Sequence, residues 1–465
     1  MLASGGNGMS GYYIKQNLIF GLLSNFLVLK PELLLYSDFD SPRLRYILNW
    51  IFGEQLGIAF GLTTDLSYWN DFEGAKINYS SDKRGKEDLH IIPHSILKET
   101  DIIPQSLSIN RWKHSTILFY TQPGAKVPFD IFAAAFYLLS RYEEYLPSEK
   151  DRHGRYKREQ SVAAQYSFLQ QPVADEWIFH FGKILEQQFQ LHLRKKEFQF
   201  IPTYDIDIAW KYLHKGSKRH SGGLFKDIIL LKWADVNERI AVNAGKSKDP
   251  FDCFEWLDNI HEKYQLHPIY FMLLGQPGAF DKNANPDSEA MQDLMKRLGK
   301  HYSVGIHPSY GSHKNAGILK SEIEILESNI QKPIIQSRQH YIKFSLPETY
   351  ENLISQGIQE DYSMGYASCN GFRAGTSNPF LWYNLKEENV TSLRVHPFAF
   401  MEATNKFYLK QNPENAWQEW ERLWHAVKKV NGTFISIWHN YILGTDKASK
   451  GWRELYIKML NNYKS

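Results

Sequence analysis

The chain has 465 residues, too many for one ordinary hydrophobic core, so two domains are expected. Its 54 Lys and Arg nearly balance 51 Asp and Glu, which gives no electrostatic case for nucleic acid or an anionic membrane surface as a partner. The two cysteines, Cys253 and Cys369, are too few for a disulfide scaffold or a thiolate centre, so any metal must be held by His and carboxylate.

In chain order, MLASGGNGMSGYYIKQ lacks the basic start, apolar core and small-residue cleavage site of a secretory signal. The apolar stretch Asn17 to Leu29 falls short of the roughly 20 residues a bilayer span needs. A cytoplasmic protein without a transmembrane segment is the expectation. Residues 1–195 mix helix and strand signals and are expected to form a smaller α+β domain with no assignable role. Their clearest helix is VPFDIFAAAFYLLSRYEEYL, Val127 to Leu146, closed by Pro147. EKDRHGRY, Glu149 to Tyr156, reads as an exposed loop, and Arg194, Lys195 and Lys196 as a solvated face near the domain junction.

From residue 196 onward, strands and helices alternate, which argues for a parallel sheet, open or closed into a barrel. The strand signals are FQFIPTYD, IYFMLLG, SVGIHPSY, HYIKFSL, SLRVHPFAF and TFISIWHN. Between them, Met291, Leu294, Met295 and Leu298 mark one amphipathic helix, and Leu319, Ile323, Leu326 and Ile330 another. PETYENLISQG reads as a short helix between Pro347 and Gly357, and Pro413 to Val430 as a Trp-rich one.

Active sites of such folds lie at the C-terminal ends of the strands. Titratable residues fall there repeatedly. Asp205 and Asp207 end the first strand, on one face of it, where two anions need a cation or a proton between them. His307 ends another strand, Arg338 and His340 open a further one, and His439 ends the last. Asp and His suit Zn²⁺ or a similar divalent ion, which would activate water and polarise a carbonyl. With one Asp on the metal, the other can accept the water's proton and a His across the cleft can protonate the leaving group. Hydrolysis of an amide or ester is the reaction class this suggests.

These stretches resemble the NodB-homology polysaccharide deacetylases of carbohydrate esterase family 4, over roughly residues 198 to 465. TYDID is similar to the first motif, which implies Asp205 as catalytic base and Asp207 as metal ligand. IHPSYGSH resembles the second, implying His307 and His313 as further ligands. SRQHYIKF falls at the third, implying that Arg338 orients the catalytic Asp. IWHN is similar to the last, implying His439 as general acid. The resemblance implies a distorted (β/α) barrel of NodB type, a divalent metal such as Zn²⁺, and an N- or O-acetylated sugar or glycan precursor as substrate. The family's second motif spaces its histidines four apart. Here position 311 is Gly and His313 is six away, so His340 or a water is the alternative third ligand. The family's Pro near Arg338 is replaced by His340.

His340, Asp361, Arg373 and Trp438 are candidates for the sugar pocket, with an Asp361–Arg373 structural ion pair the competing reading. His396 reads as structural. The functional alternatives are a catalytically idle, glycan-binding relative and a hydrolase of a non-sugar amide.

Overall fold

The structure, a computed structural model, describes residues 31–85 and 89–464. The expectations for the first 16 residues and for the apolar stretch Asn17 to Leu29 lie outside the described residues. Among those described, no helix is long and apolar enough to cross a membrane.

The described residues begin with four strands, β1 (Leu33–Ser37), β2 (Phe60–Thr63), β3 (Ala75–Tyr79) and β4 (Leu89–Ile91), in spatial order β2-β1-β3-β4. All three pairings are parallel, giving an α/β sheet where the mixed sequence signals suggested α+β. β1, LLLYS, is buried at every position, the continuous apolar run of a sheet covered on both faces. Helix α1 (Pro42–Leu48) follows it, capped by the Ser41 hydroxyl. A hairpin of β5 (Asn110–Trp112) and β6 (Ser115–Ile117) comes next. Helix α2 (Ile131–Leu139) is shorter than the expected Val127 to Leu146. The Asp130 carboxylate caps its first turn, and beyond Ser140 the chain turns left-handed at Arg141 (φ 54°). Helix α3 (Val173–Phe189) closes this part.

A second sheet of nine strands carries the rest. Its members are β7 (Gln199–Ile206), β8 (Ile269–Leu273), β9 (Ser303–His307), β10 (Gln336–Ser337), β11 (Glu360–Asp361), β12 (Phe380–Asn384), β13 (Asn389–Val395), β14 (Phe400–Met401) and β15 (Thr433–His439). The spatial order is β12-β13-β11-β10-β9-β8-β7-β15-β14, parallel except for β12 against β13. No ladder joins β12 to β14 among the described residues, so the barrel is not confirmed and the sheet is open. One edge strand runs antiparallel and the other has two residues, so neither offers the continuous ladder that closure requires.

The longer helices of this part are α4 (Ser217–Ile229), α5 (Trp233–Asn243), α6 (Phe254–Tyr264), α7 (Glu289–His301), α8 (Ala316–Ile330), α9 (Glu348–Ser355), α10 (Pro413–Lys429) and α11 (Trp452–Lys464). The stripes on α7 and α8 are buried as their spacing requires, Ile330 only partly. HYIKFSL is not a strand. β10 stops at Ser337, and His340–Ile342 form a tight turn with Tyr341 at φ 60°.

A single hydrophobic cluster runs through both parts of the chain, from Leu33 to Leu460. A polar seam accompanies it. Arg43 binds Glu388 at 2.5 Å, the Tyr46 hydroxyl donates to the Leu381 carbonyl at 2.8 Å, and Arg373 meets Glu144 at 2.5 Å. Lys196 reaches back to Gln55 and to Asn378, so this residue of the basic run is tied down rather than solvated.

Candidate metal centre and active site

β7 and β15 lie side by side, one strand in from the β14 edge of the sheet, with His439 opposite Asp205, while β8 sets Leu273 opposite His307. That register gathers the strand ends into one cleft of about 460 Å³. Alternation decides which side chains enter it. Thr203, Asp205 and Asp207 share one face of β7 and its extension, whereas Tyr204 and Ile206 are buried on the other. On β15 the same rule sends His439 to the cleft and Trp438 away from it, against Tyr456 with ring centroids 4.7 Å apart. Trp438 is therefore not a pocket residue. Asn283 fixes the exits of β7 and β8 by donating to the Ile206 and Leu273 carbonyls at 2.8 and 3.0 Å.

One oxygen of Asp207 and one ring nitrogen each of His307 and His340 lie within 4.8 Å of one another. His307 Nε2 stands 3.2 Å from Asp207 Oδ1, and His340 Nε2 3.7 Å from Oδ2. Ligand atoms of a tetrahedral ion with bonds of about 2.1 Å stand about 3.4 Å apart, so the spacing fits. Both imidazoles are pinned at the far nitrogen. His307 Nδ1 is 2.6 Å from the Arg338 carbonyl oxygen, and His340 Nδ1 is 2.9 Å from Asp281 Oδ1. Such partners fix the tautomer that offers Nε2 as a ligand. Asp207 Oδ1 is buried and accepts no hydrogen bond, an orphan that a cation would satisfy. The residues fit a divalent ion.

His313 is not brought to this cluster. Its Nδ1 lies 3.2 Å from the Tyr310 carbonyl, and it lines a separate groove with Lys343 and Glu348. It sits within the turn Ser312–Lys314, beyond the end of β9, while the turn after β10 carries His340 inward.

Asp205 and His439 flank the cluster. Asp205 Oδ1 accepts from Arg338 Nη1 at 2.9 Å, and Oδ2 lies 3.9 Å from His307 Nε2. Arg338 is fully buried, donates also to Thr203 Oγ1 at 2.7 Å and the Tyr362 carbonyl at 3.0 Å, and stacks over Phe271. His439 Nε2 lies 3.5 Å from Asp207 Oδ2, and its Nδ1 is 2.9 Å from Glu402 Oε1.

Burial works against charge here and loses. It lowers His439, but Glu402 and Asp207 outweigh it and raise the imidazole to about 10. It lowers His340 likewise, and Asp207 with Asp281 raises that ring to about 9. Burial would raise the Asp207 carboxyl, yet the His340 and His439 charges hold it well below the usual carboxylate range.

Two other candidates do not reach the cleft. Arg373 is buried against Glu144, not Asp361, and stacks on Phe344. Asp361 is buried, accepts from Tyr350 and Ser363, and is pushed up to about 6 by that burial. His396 stacks on Tyr362 at 4.4 Å and burial pulls it down to about 4, a structural ring.

Four contributors carried no legible signal. Glu402 and Asp281 orient two of the histidines but match no spacing, because each meets its partner only through the fold. Phe280 and Phe407, 41% and 51% exposed, stand on the cleft wall as flat apolar faces. The loop Glu149 to Tyr156, expected to be exposed, instead docks on the rim. Arg152 lines the cleft, and Arg155 Nη1 donates to the Tyr341 carbonyl at 2.6 Å.

Residues 33–190 match a family described as of unknown function, DUF7033. No curated protein matches the chain. Among solved structures, similarity is found to a protein of Mycobacterium smegmatis provisionally described as a polysaccharide deacetylase, with TM-score 0.37 and 12% identity over 58% of this chain and 86% of that one. A polysaccharide deacetylase of Bacillus cereus gives TM-score 0.27 and 12% identity over 58% of this chain and 89% of that one. A mutant of a carbohydrate esterase family 4 pseudoenzyme with restored activity gives 0.29 and 10% over 58% and 64%. These likenesses are loose, and the chemistry below rests on the cleft's own geometry.

Proposed function

We propose that this cleft is the active site of a metal-dependent hydrolase that removes acetyl groups from an N- or O-acetylated sugar or glycan precursor. One observation carries the reading: a largely buried Asp-His-His set stands between a carboxylate locked by an arginine and an imidazole locked by a glutamate. Asp207, His307 and His340 would hold the ion, His340 taking the position expected of His313. When bound, a divalent ion there supplies Lewis-acid polarisation of the acyl oxygen and lowers the pKa of water.

The protein's own groups supply the proton transfers. Asp205, kept in place by Arg338, accepts the proton of the attacking water. His439, whose charged form the neighbouring Glu402 carboxylate favours, gives a proton to the departing amine or alcohol. Glu402 holds that imidazole by Nδ1 so that Nε2 faces the cleft. Phe280 and Phe407 offer the stacking faces that suit a pyranose ring, which favours a sugar over a non-sugar amide.

The direct test is acetate release from acetylated hexosamine oligomers by metal-loaded protein. Asp205→Asn should lower kcat by about 10² or more with metal content unchanged. A protein that binds the ion and the oligomer yet releases no acetate would instead be the idle glycan-binding relative. Glu402→Gln is a milder probe. Steady-state kinetics should record a fall in turnover of about 10- to 100-fold, the cost typical of losing an orienting partner, with bound metal retained.

A further inference from the structure

Between β7 and α6 the chain makes an excursion over residues 214–248, built as the helix pair α4 and α5. Both of its ends are tied at one point. The Asp249 carboxylate accepts from the backbone N–H groups of Lys211 and Tyr212 at 2.8 Å and of Leu213 at 3.2 Å. Asp207 directly follows β7, the strand that leads into it, so the helix pair springs from the cleft's rim.

Its large apolar side chains face solvent. Phe225 is 66% exposed, Ile229 61%, Leu231 71%, Trp233 57% and Ile240 57%, large apolar side chains concentrated on one short excursion, as an interaction surface requires. The charge of the excursion is equally lopsided. It holds eight Lys and Arg against three Asp and Glu, which leaves the rest of the chain slightly acidic. Those three acids are already engaged: Asp227 with Arg239 at 2.6 Å, and Glu238 and Asp235 with Lys211 at 2.9 and 3.6 Å. Lys232 and Lys246 have no carboxylate within 4 Å among the described residues.

We propose that α4 and α5 form a membrane-surface anchor that seats on an anionic lipid bilayer. Exposed Trp, Phe, Leu and Ile beside unneutralised Lys is the composition of elements that lie in the lipid interface. At 13 and 11 residues the helices are too short to span, so they rest in the headgroup plane. The excursion's excess of Lys and Arg complements anionic headgroups, and the near-zero charge of the whole chain conceals it. Because the anchor springs from the rim, docking brings the cleft to the lipid surface, whatever reaction the cleft performs.

The test is co-sedimentation of the full chain with vesicles of phosphatidylcholine alone or mixed equally with phosphatidylglycerol. Partition should be about tenfold higher on the anionic vesicles and fall as salt rises. The Leu231→Ser, Trp233→Ser double variant should lose that partition about tenfold while its melting curve matches the parent, since both side chains are solvent-facing. A chain that stays in the supernatant with both vesicles overturns the proposal, as does a double variant that sediments like the parent. If the parent ignores vesicles but forms a dimer that the variant dissolves, the face joins two copies and the membrane reading is wrong.

Discussion

His340→Ala should abolish tight metal binding, and acetate release with it, whereas His313→Ala should leave both within about twofold. Loss of an outer partner of a metal ligand costs about 10- to 100-fold in affinity, and loss of the ligand itself should exceed that. The contrast follows from geometry: His340 Nε2 faces Asp207 with its Nδ1 held by Asp281, while His313 turns to the Tyr310 carbonyl in another groove. Metal content of the purified variants after dialysis against a trace of zinc, read beside acetate release, checks it. If His313→Ala loses the ion and His340→Ala keeps it, the assignment of the third ligand is reversed.

Glu144→Gln is expected to destabilise the protein by about 3–5 kcal/mol, the cost of leaving a buried charge without its partner. Glu144 is buried between Arg373, at 2.5 Å, and Arg141, at 2.8 Å. Burial pushes its carboxyl up, but the two guanidinium groups outweigh that and hold it at about 2, against an ordinary 4.5. A depressed carboxyl contributes stability that is fully present above the ordinary value. That contribution should fade as pH drops from about 4.5 through about 2, and the variant's stability should lack this component of the acid dependence. Urea unfolding of parent and variant between pH 7 and 3 measures both. Because removing both members of the pair leaves neither charge facing a missing partner, replacing both, as in Glu144→Leu with Arg373→Met, should cost less than Glu144→Gln alone.

Much of the site could be read from the chain because a strand has a period of two. TYDID places Asp205 and Asp207 on one face whatever surrounds them, and IWHN sends His439 one way and Trp438 the other. Trp438 was misread because alternation fixes that the two differ, while only packing against Tyr456 says which side is the cleft. His307 was legible for the same reason, at the end of a short apolar strand. His340 was legible only as the alternative to His313. His340 follows a strand of only two residues and enters the cleft through a turn with Tyr341 at φ 60°, a conformation no side-chain pattern announces.

The chain by itself determined a parallel α/β sheet in its second part, the strand-end placement of Asp205, Asp207, His307 and His439, and the exclusion of thiolate chemistry. Each depends on local periodicity or on composition. Tertiary structure alone decided that the first part is also a parallel sheet, that Arg373 belongs to Glu144, and that Glu402 and Asp281 aim the histidines. It also decided that the basic, apolar stretch around Trp233 stands in solvent. Those facts depend on which distant segments meet, and a hydrogen bond or an ion pair leaves no period in the sequence when its two ends are tens or hundreds of residues apart.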